Sequence, residues 1–311
     1  MIVTVTMNPA IDKTVDIERM EVGGLNRIQR VELDAGGKGI NVSKTIKALG
    51  GETVAAGFIG GNAGKIIKDV LESQGIRTDF VHLDGETRTN QKVVEKSGSV
   101  TELNEPGPAV NETQLNELLD RLDGYAGPDT LFVLAGSIPK GVDKNIYKTI
   151  TERAHARGAA VLMDADGELF VHGLEAGPDM IKPNRVELEA YYGLDYRASE
   201  KELISMGKKL LEKGSKLTAI SLGQMGALFL TENNQVRCPG LTVKAHSTVG
   251  AGDAMVAALA YSWDKKLSFK DTVRLAMAAS AGAVTTIGTK PPAQEVVDGL
   301  MKQVTIEKLG E

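Results

Sequence analysis

The chain has 311 residues, 42% of them hydrophobic and 25% charged, with a formal net charge of -5. This length suits one large α/β domain or two domains, and the lack of a dense lysine and arginine block argues against nucleic acid as a partner. No stretch approaches the ~18 apolar residues of a membrane span, and Met1 leads directly into a strand-like segment, so we expect a cytoplasmic protein with no membrane partner. The single cysteine, Cys238, excludes an internal disulfide and is expected to be a packing residue.

The first third of the chain mixes core-like strands with two charged, hairpin-like segments. Residues 2–7 predict a strand that stops at a turn, and Asp12 follows as either a ligand-contacting residue or a turn aspartate. Segments 13–34 and 80–103 consist of short strand-like pieces broken by glycine turns, which predicts two hairpin excursions from the main body. Between them the apolar spacing predicts a strand and then a helix whose buried side carries Ile66, Ile67, Val70 and Leu71.

A glycine cluster at residues 35–43 predicts a loop that approaches a ligand closely before a helix begins. It differs from a Walker loop because a glycine, rather than serine or threonine, follows Lys38. Glycines together with Lys38 and Asn41 suit a polyhydroxylated, negatively charged substrate, the alternative being a structural turn with a solvated lysine. Arg88 and Asn90 offer a fork-shaped donor and an amide to phosphate and hydroxyl groups, unless Arg88 is an ordinary surface arginine.

After residue 108, helical and strand-like segments alternate, which predicts a mostly parallel sheet covered by helices on both faces. In such a sheet the carboxyl ends of the strands meet at one edge, where a ligand is expected. The strand ends in question are Ala135-Gly136-Ser137, Asp164-Ala165-Asp166-Gly167, Lys182-Pro183-Asn184 and Ser221-Leu222-Gly223. Asn184 and Glu187 stand three residues apart at a helix start, so they form either a capping pair or a site for Mg²⁺ and nucleotide phosphates.

The sequence is organised around one loop, Ser247-Thr248-Val249-Gly250-Ala251-Gly252-Asp253, which runs into an apolar helical segment. A helix that begins here aims free N–H groups and the positive end of its dipole at one point, which suits an anion. Asp253 at that point would repel a phosphate unless it faces a second reactant, such as a hydroxyl whose proton it removes. We therefore hypothesise a phosphotransferase with Asp253 as its base, against the alternative of an ordinary turn with an acidic first-turn residue.

Seven short motifs, spread over most of the chain, can be compared with known families by their composition and their order. They are Asn8-Pro9-x-x-Asp12, Gly36-Gly37-Lys38-Gly39-x-Asn41, Thr87-Arg88-x-Asn90, Ala135-Gly136-Ser137-x-Pro139, Lys182-Pro183-Asn184-x-x-Glu187, Ser221-x-Gly223 and Gly250-Ala251-Gly252-Asp253. In this order the chain resembles, nearly end to end, the ribokinase-like (PfkB-type) sugar kinases. Within that family it is most similar to the bacterial 1-phosphofructokinases and the tagatose-6-phosphate kinases, chiefly through residues 23–27, 36–43 and 135–139.

The resemblance implies one kinase domain over residues 1–311, with a three-layer α/β/α body around a mostly parallel central sheet. A small β-sheet lid would be formed by the inserted segments 13–34 and 80–103, and a homodimer would form through that lid. The implied partners are ATP and a sugar phosphate, and the implied reaction moves the γ-phosphoryl group to a hydroxyl of a ketohexose monophosphate. With fructose 1-phosphate as the acceptor, the product would be fructose 1,6-bisphosphate.

The resemblance also implies roles for individual residues. Asp253 would be the base, and the backbone at Gly250, Ala251, Gly252 and Asp253 would form the anion hole. Substrate contacts would come from Asp12, Arg27, Gly37, Lys38, Asn41, Arg88, Asn90 and Ser137. Nucleotide contacts would come from Lys182, Asn184, Ser221, Gly223, Gly226 and Gly252, with Glu187 acting on Mg²⁺ through water. The adenine would lie between the loop before residue 247 and the helix around residues 277–282.

Three positions depart from the pattern of the family. Ser247 stands where many members have an aspartate or asparagine that helps to hold a monovalent cation, so we expect no potassium activation. Asp166 replaces a common serine and Ala254 a frequent serine or threonine, and neither change has a physical explanation here.

The alternative functions are a kinase for tagatose 6-phosphate or fructose 6-phosphate and a sugar-phosphate sensor without catalytic activity. The intact Asp253 and its glycines disfavour the sensor.

Overall fold

The computed structural model describes residues 1–309, and its elements follow the alternation that the sequence predicts. The strands β1–β14 are Ile2–Thr6, Ala10–Ile17, Arg30–Gly36, Thr53–Gly60, Arg77–Leu83, Arg88–Glu95, Val100–Asn104, Leu131–Ala135, Ala160–Asp164, Met180–Ile181, Leu217–Ser221, Ala227–Leu230, Gln235–Cys238 and Glu307–Lys308. The helices α1–α10 are Lys38–Ala48, Gly61–Ser73, Glu112–Tyr125, Ile146–His155, Gly167–Leu174, Arg185–Tyr191, Glu200–Glu212, Ala251–Asp264, Phe269–Ala283 and Gln294–Met301.

A large ten-stranded sheet forms the centre of the molecule, in the order β14-β13-β12-β11-β10-β9-β8-β1-β4-β5. The strands from β11 to β5 in this order are all parallel, whereas β12, β13 and β14 add an antiparallel edge. Because parallel strands need crossover connections, helices cover both faces. The three-layer α/β/α, mostly parallel, ribokinase-like fold that the sequence predicts is therefore confirmed.

Two apolar clusters fix the helices to the two faces of this sheet. One cluster packs α3, α4, α5, α6 and α7 against one face. The other packs α1, α8, α9 and α10 against the opposite face, and it includes the buried run 254–260 of α8. This run is rich in alanine, which lets α8 lie close to the sheet and to its neighbours on nearly all sides. The start of α8 is thereby held rigidly at the carboxyl edge of the parallel strands.

A second, four-stranded sheet with the order β3-β2-β6-β7, here called the small sheet, stands beside the body. Strands β2 and β3 form one antiparallel hairpin, β6 and β7 form another, and β2 pairs with β6 in parallel. The second excursion is shorter than predicted, because residues 80–83 belong to β5 of the large sheet. Their alternating, partly polar pattern resembles that of the hairpins, since β5 is the edge strand of the large sheet.

Two expectations about burial have opposite outcomes. Ile67 and Leu71 of α2 are buried as predicted, but Ile66 is 48% exposed, because the apolar stripe of the helix is narrower than the sequence indicates. Cys238 is fully buried in β13, which confirms it as a packing residue. Within residues 1–309, no helix is both long and apolar enough to cross a membrane.

Candidate active site

A cavity of about 1020 Å³ lies between the carboxyl edge of the parallel strands and the small sheet. Its wall brings together nearly all of the residues that the sequence predicts for the site, from segments far apart in the chain. These are Asp12, Gly37, Lys38, Asn41, Arg88, Asn90, Ser137, Lys182, Asn184, Glu187, Ser221, Gly223, Gly226, Gly250, Ala251, Gly252 and Asp253. Arg27 is the exception, because it lies exposed on the loop between β2 and β3 and does not line the cavity.

The first turn of α8 forms the middle of the cavity wall. Gly250 precedes the helix with a φ of 85°, a left-handed conformation that glycine adopts without strain. In the described chain no side chain caps this helix, and the first intrahelical bond at this end is donated by Ala254 to the Gly250 carbonyl. The N–H groups of Ala251, Gly252 and Asp253 therefore point toward the cavity, together with the positive end of the helix dipole.

Asp253 is a buried carboxylate at this position, only 8% exposed. Its Oδ2 accepts a hydrogen bond of 2.9 Å from Asn41 Nδ2 on α1. Burial, followed by the negative charge of Asp164, raises the pKa of Asp253 to about 6, although Asn41, Lys38 and Lys182 act in the opposite direction. A carboxylate with this pKa is ionised at neutral pH and can take up a proton readily.

Asp164, at the end of β9, lies deeper in the cavity wall with its side chain 2% exposed. Lys182 Nζ is 3.2 Å from its Oδ1, and Lys38 Nζ is 3.7 Å from its Oδ2. Burial raises the pKa of Asp164, but the two ammonium groups outweigh burial and hold the pKa below its ordinary value. Asp164 and Asp253 thus carry opposite pKa shifts, because Asp164 faces two ammonium groups directly and the direct partner of Asp253 is an amide.

The end of the cavity nearest the small sheet is polar. Asp12 and Asn90 are cross-strand neighbours, with Asn90 Nδ2 3.4 Å from Asp12 Oδ1, and burial raises the pKa of Asp12 despite the positive charge of Lys92. Arg88 donates bonds of 3.0 Å to the carbonyl oxygens of Asn8 and Glu105. Its Nε is buried and has no partner within residues 1–309. Arg88 is therefore partly a structural residue, and its buried Nε–H is still available to a ligand.

The opposite end of the cavity combines small residues with apolar side chains. Ser221, Gly223 and Gly226 line it beside Leu241 and Val243 of the loop between β13 and α8. Met277 and Ala281 of α9, and Val284 just after this helix, complete the wall. Asn184 and Glu187 form a reciprocal capping box at the start of α6, with bonds of 2.8 and 2.9 Å. Asn184 and Glu187 thus form the capping pair that the sequence offered as one alternative. One Glu187 oxygen remains outside the capping box, and burial raises the pKa of this carboxyl group.

Sequence reasoning missed several residues of this cavity. Asp164, Lys92, Glu102 and Asn104 all line it, and Lys92 and Glu102 are directly opposed on β6 and β7. The alternation of polar residues along these strands could have identified the last three, because every second side chain of a strand shares one face. Asp164 stood in a strand end that the sequence singled out, but its two lysine partners could not be inferred without the fold.

The cavity wall also contains polar atoms that suit a polar ligand. Thr6 Oγ1, Asn41 Oδ1, Asn90 Oδ1 and Thr289 Oγ1 are buried and lack a hydrogen-bond partner in the part of the chain that the structure describes. Buried polar groups are normally satisfied, so such a cluster indicates a surface built for a hydrogen-bonding ligand. Phosphate and hydroxyl groups fit this wall, because it offers cations, backbone N–H groups and amide or hydroxyl side chains.

Comparison with known proteins gives consistent matches over almost the whole chain. A model described as pfkB family carbohydrate kinase matches residues 5–296. The chain is 34% identical over 309 residues to the 1-phosphofructokinase of Bacillus subtilis, which covers 99% of this chain and 100% of that protein. The structure of Escherichia coli phosphofructokinase-2 in complex with potassium matches with a TM-score of 0.92 at 27% identity, over 97% of this chain and 98% of that one. Its complex with fructose-6-phosphate gives 0.90 at 26%, with the same coverage.

We predict that replacing Asp253 with asparagine stabilises the fold at pH 8. The pKa of Asp253 is raised from 3.8 to about 6, so its ionisation costs the folded state about 3 kcal/mol above pH 6. The favourable contribution of protonated Asp253 to the free energy of unfolding is complete below the ordinary pKa of 3.8. This contribution is lost as the pH rises through the folded-state pKa of about 6. Thermal unfolding of Asp253→Asn should therefore show a higher Tm at pH 8 and little change at pH 4. Asp69→Asn, on the exposed side of α2, is the control; a lower Tm for Asp253→Asn at pH 8 would contradict the prediction.

Proposed function

Since the chain belongs to the pfkB family of carbohydrate kinases, we propose that it transfers the γ-phosphoryl group of ATP to fructose 1-phosphate and forms fructose 1,6-bisphosphate. Its activity as a carbohydrate kinase follows from the family. The observation that supports the finer proposal is the position of Asp253, at a helix N-terminus between a polar, cationic end and an apolar end of one cavity. The curated relative named 1-phosphofructokinase supports the choice of acceptor.

In this proposal Asp253 acts as the general base. Its carboxylate takes the proton of the acceptor hydroxyl while the hydroxyl oxygen forms a bond to the γ-phosphorus and the bond from that phosphorus to the bridging oxygen breaks, which leaves ADP. The N–H groups of Ala251, Gly252 and Asp253 stabilise the charge that develops on the transferred group. Because the base must be ionised, turnover is expected to fall as the pH falls through about 6.

The acceptor sugar is assigned to the polar end of the cavity. Asp12, Asn41 and Asn90 offer groups for its hydroxyls, with the Gly37 backbone and Ser137 beside them. Gly37 has a φ of 115°, and a Cβ there would lie 2.8 Å from Thr6, so only glycine allows this close approach. Lys38 and the available Nε–H of Arg88 would hold the phosphate that the sugar already carries.

The nucleotide is assigned to the other end. Lys182 and the Gly252 backbone would contact the phosphates, and Ser221, Gly223, Gly226 and Asn184 would contact the rest of ATP beside the apolar wall. Mg²⁺ fits next to Glu187 through water, because one carboxylate oxygen remains outside the capping box. When bound, this ion would neutralise phosphate charge.

We propose no potassium requirement, because Ser247 offers no carboxylate to a monovalent cation. The related Escherichia coli phosphofructokinase-2 does have a structure with potassium.

Fructose 6-phosphate is the second candidate acceptor, because the structure of a relative in complex with that sugar phosphate matches the chain. Tagatose 6-phosphate remains an alternative from the sequence. We expect the wild-type protein to release ADP faster with fructose 1-phosphate than with either of the other two sugar phosphates. A coupled assay at matched concentrations measures this, with the sugars lacking phosphate as controls. Equal or faster turnover with another sugar phosphate would refute the assignment, and no turnover with any of them would favour the sensor.

Replacing Asp253 with asparagine should slow the chemistry strongly while preserving substrate binding. We expect kcat to fall by roughly 10² to 10⁴, the usual scale for a lost general base, with a nearly unchanged dissociation constant for fructose 1-phosphate. The amide keeps the size of the side chain, so the Asn41 contact need not move. Steady-state kinetics and calorimetry give the two quantities, and a kcat near that of the wild type would remove Asp253 from the catalytic role.

We propose that the homodimer forms through the face of the small sheet that points away from the cavity. Leu33 and Leu103 stand on this face, 60% and 50% exposed, and Leu25 on the adjoining loop is 75% exposed. Lys13 of β2 and Gln91 of β6 lie between the two leucines, so the exposed apolar groups stand at the two edges of a mixed face that a second copy would cover. Such a dimer would also explain Arg27, because a loop that lies outside its own cavity could reach the cavity of a second copy.

The dimer predicts a linked effect of two substitutions. Leu33→Asp should convert the dimer to a monomer in light scattering, and Arg27→Ala should raise the KM for fructose 1-phosphate by about tenfold without changing the KM for ATP. In the Leu33→Asp background, Arg27→Ala should have no further effect, whereas Arg88→Ala should still raise the KM. Ile66→Asp, an exposed apolar residue of α2, is the control for both measurements. A monomeric wild type, or an unchanged KM in Arg27→Ala, would overturn this part of the proposal.

A further inference from the structure

Asp164 has no role in the mechanism above, yet it is among the most buried charged groups of the cavity. Its two oxygens each face one ammonium group, Lys182 at 3.2 Å and Lys38 at 3.7 Å. The two lysines come from separate elements, since Lys38 begins α1 and Lys182 follows β10. One buried carboxylate therefore joins the sugar side of the proposed site to its nucleotide side.

We propose that Asp164 is a positioning residue that holds the Lys38 and Lys182 ammonium groups on either side of the phosphoryl group in transfer. The inference rests on the proposed function. Lysine side chains are long and flexible, so fixing each ammonium group costs conformational entropy that a buried carboxylate partner can offset. Each ammonium group has three donors, and Asp164 presents only one oxygen to each of them, so donors remain for a ligand.

The surroundings of the two lysines support this arrangement. The stem of Lys38 lies on Gly136, 3.5 Å from the place of a Cβ on that residue. Lys182 Nζ lies 3.5 Å from the place of a Cβ on Gly252, next to the free N–H groups of α8. Lys182 is thus at the anion-binding turn itself, and Lys38 approaches the same point from the sugar side.

Asp164 also protects the proposed base from its cationic neighbours. Asp253 is faced by Lys38, Lys182 and Asp164, and more remotely by Lys44 of α1, and its hydrogen-bond partner is the Asn41 amide. Without Asp164 the ammonium groups of Lys38 and Lys182 would repel each other. The other carboxylate with which they could pair is Asp253. An ion pair with the base would lower the pKa of Asp253 and make it a weaker proton acceptor.

Asp164→Asn tests the proposal with three readouts. We expect weaker binding of ADP and of fructose 1-phosphate by calorimetry, each by about tenfold, the scale of a lost charged contact. We also expect the acid limb of the pH profile of kcat to move to lower pH.

Two lysine variants separate the two halves of the role. Lys38→Met should weaken binding of the sugar phosphate only, and Lys182→Met should weaken binding of the nucleotide only. Asp179→Asn, which breaks the pairing of a partly buried aspartate with the exposed Lys216 and the half-buried His155 outside the cavity, should lower Tm alone.

A purely structural Asp164 predicts a different pattern. In that case folded Asp164→Asn would bind both ligands as the wild type does and keep the acid limb, which would overturn the proposal. If this variant does not fold, the double variant Asp164→Asn with Lys182→Met removes the pair together, a change that buried ion pairs tolerate better. It should bind fructose 1-phosphate about tenfold more weakly than Lys182→Met alone, and equal affinity would refute the role. ADP binding needs no turnover, so it tests Asp164 even if no sugar phosphate is phosphorylated.

Discussion

Compensation of buried charge is the constraint on which the rest of the candidate site depends. A carboxylate removed from water destabilises the fold unless cations or hydrogen bonds replace the water. Asp164 has two ammonium groups within 3.7 Å, so its pKa is held low. Asp253 has an amide as its direct partner, so burial raises its pKa to about 6. Two carboxyl groups in one cavity thus have different proton affinities, and Asp253, the one with the higher affinity, is the group that we propose as the base.

The topology of the large sheet explains how these charges meet. Parallel strands direct their carboxyl ends to one edge, and α1 and α8 both begin at that edge on the same face of the sheet. Lys38 opens the first of these helices, and Asp253 lies in the first turn of the second. The alanine-rich contact of α8 with its neighbours holds the first turn in place. The position of the proposed base, Asp253, is therefore set by packing over the whole length of the helix rather than by the loop alone.

The glycine clusters and the residues beside them could be predicted from the sequence, because a backbone that approaches a ligand needs small residues nearby in the chain. Lys38, Asn41 and Asp253 are predicted for this reason, whereas Asp12 is predicted from the strand end and turn that precede it, and the cavity contains all four. The pairing of Asp164 with two lysines was not predictable, since it depends on which strands are neighbours. The same holds for Arg27, whose place outside the cavity depends on the path of one loop. Residues 80–83 were misassigned because an edge strand and a hairpin share the same alternating pattern.

The small sheet has two faces with different chemistry, and the two-residue period of its strands keeps them apart. One face lines the cavity with Asp12, Asn90 and Lys92, while Leu33 and Leu103 project from the other. A slip of one residue in any pairing would exchange these faces, so the register has to be fixed firmly. Arg88 contributes to this, because it bonds to the carbonyl oxygens of Asn8 and Glu105, at two of the crossings between the small sheet and the body. Arg88, which we propose to hold a phosphate, thus also fixes the position of the small sheet. Replacing Arg88 would therefore remove a ligand contact and loosen the small sheet at the same time.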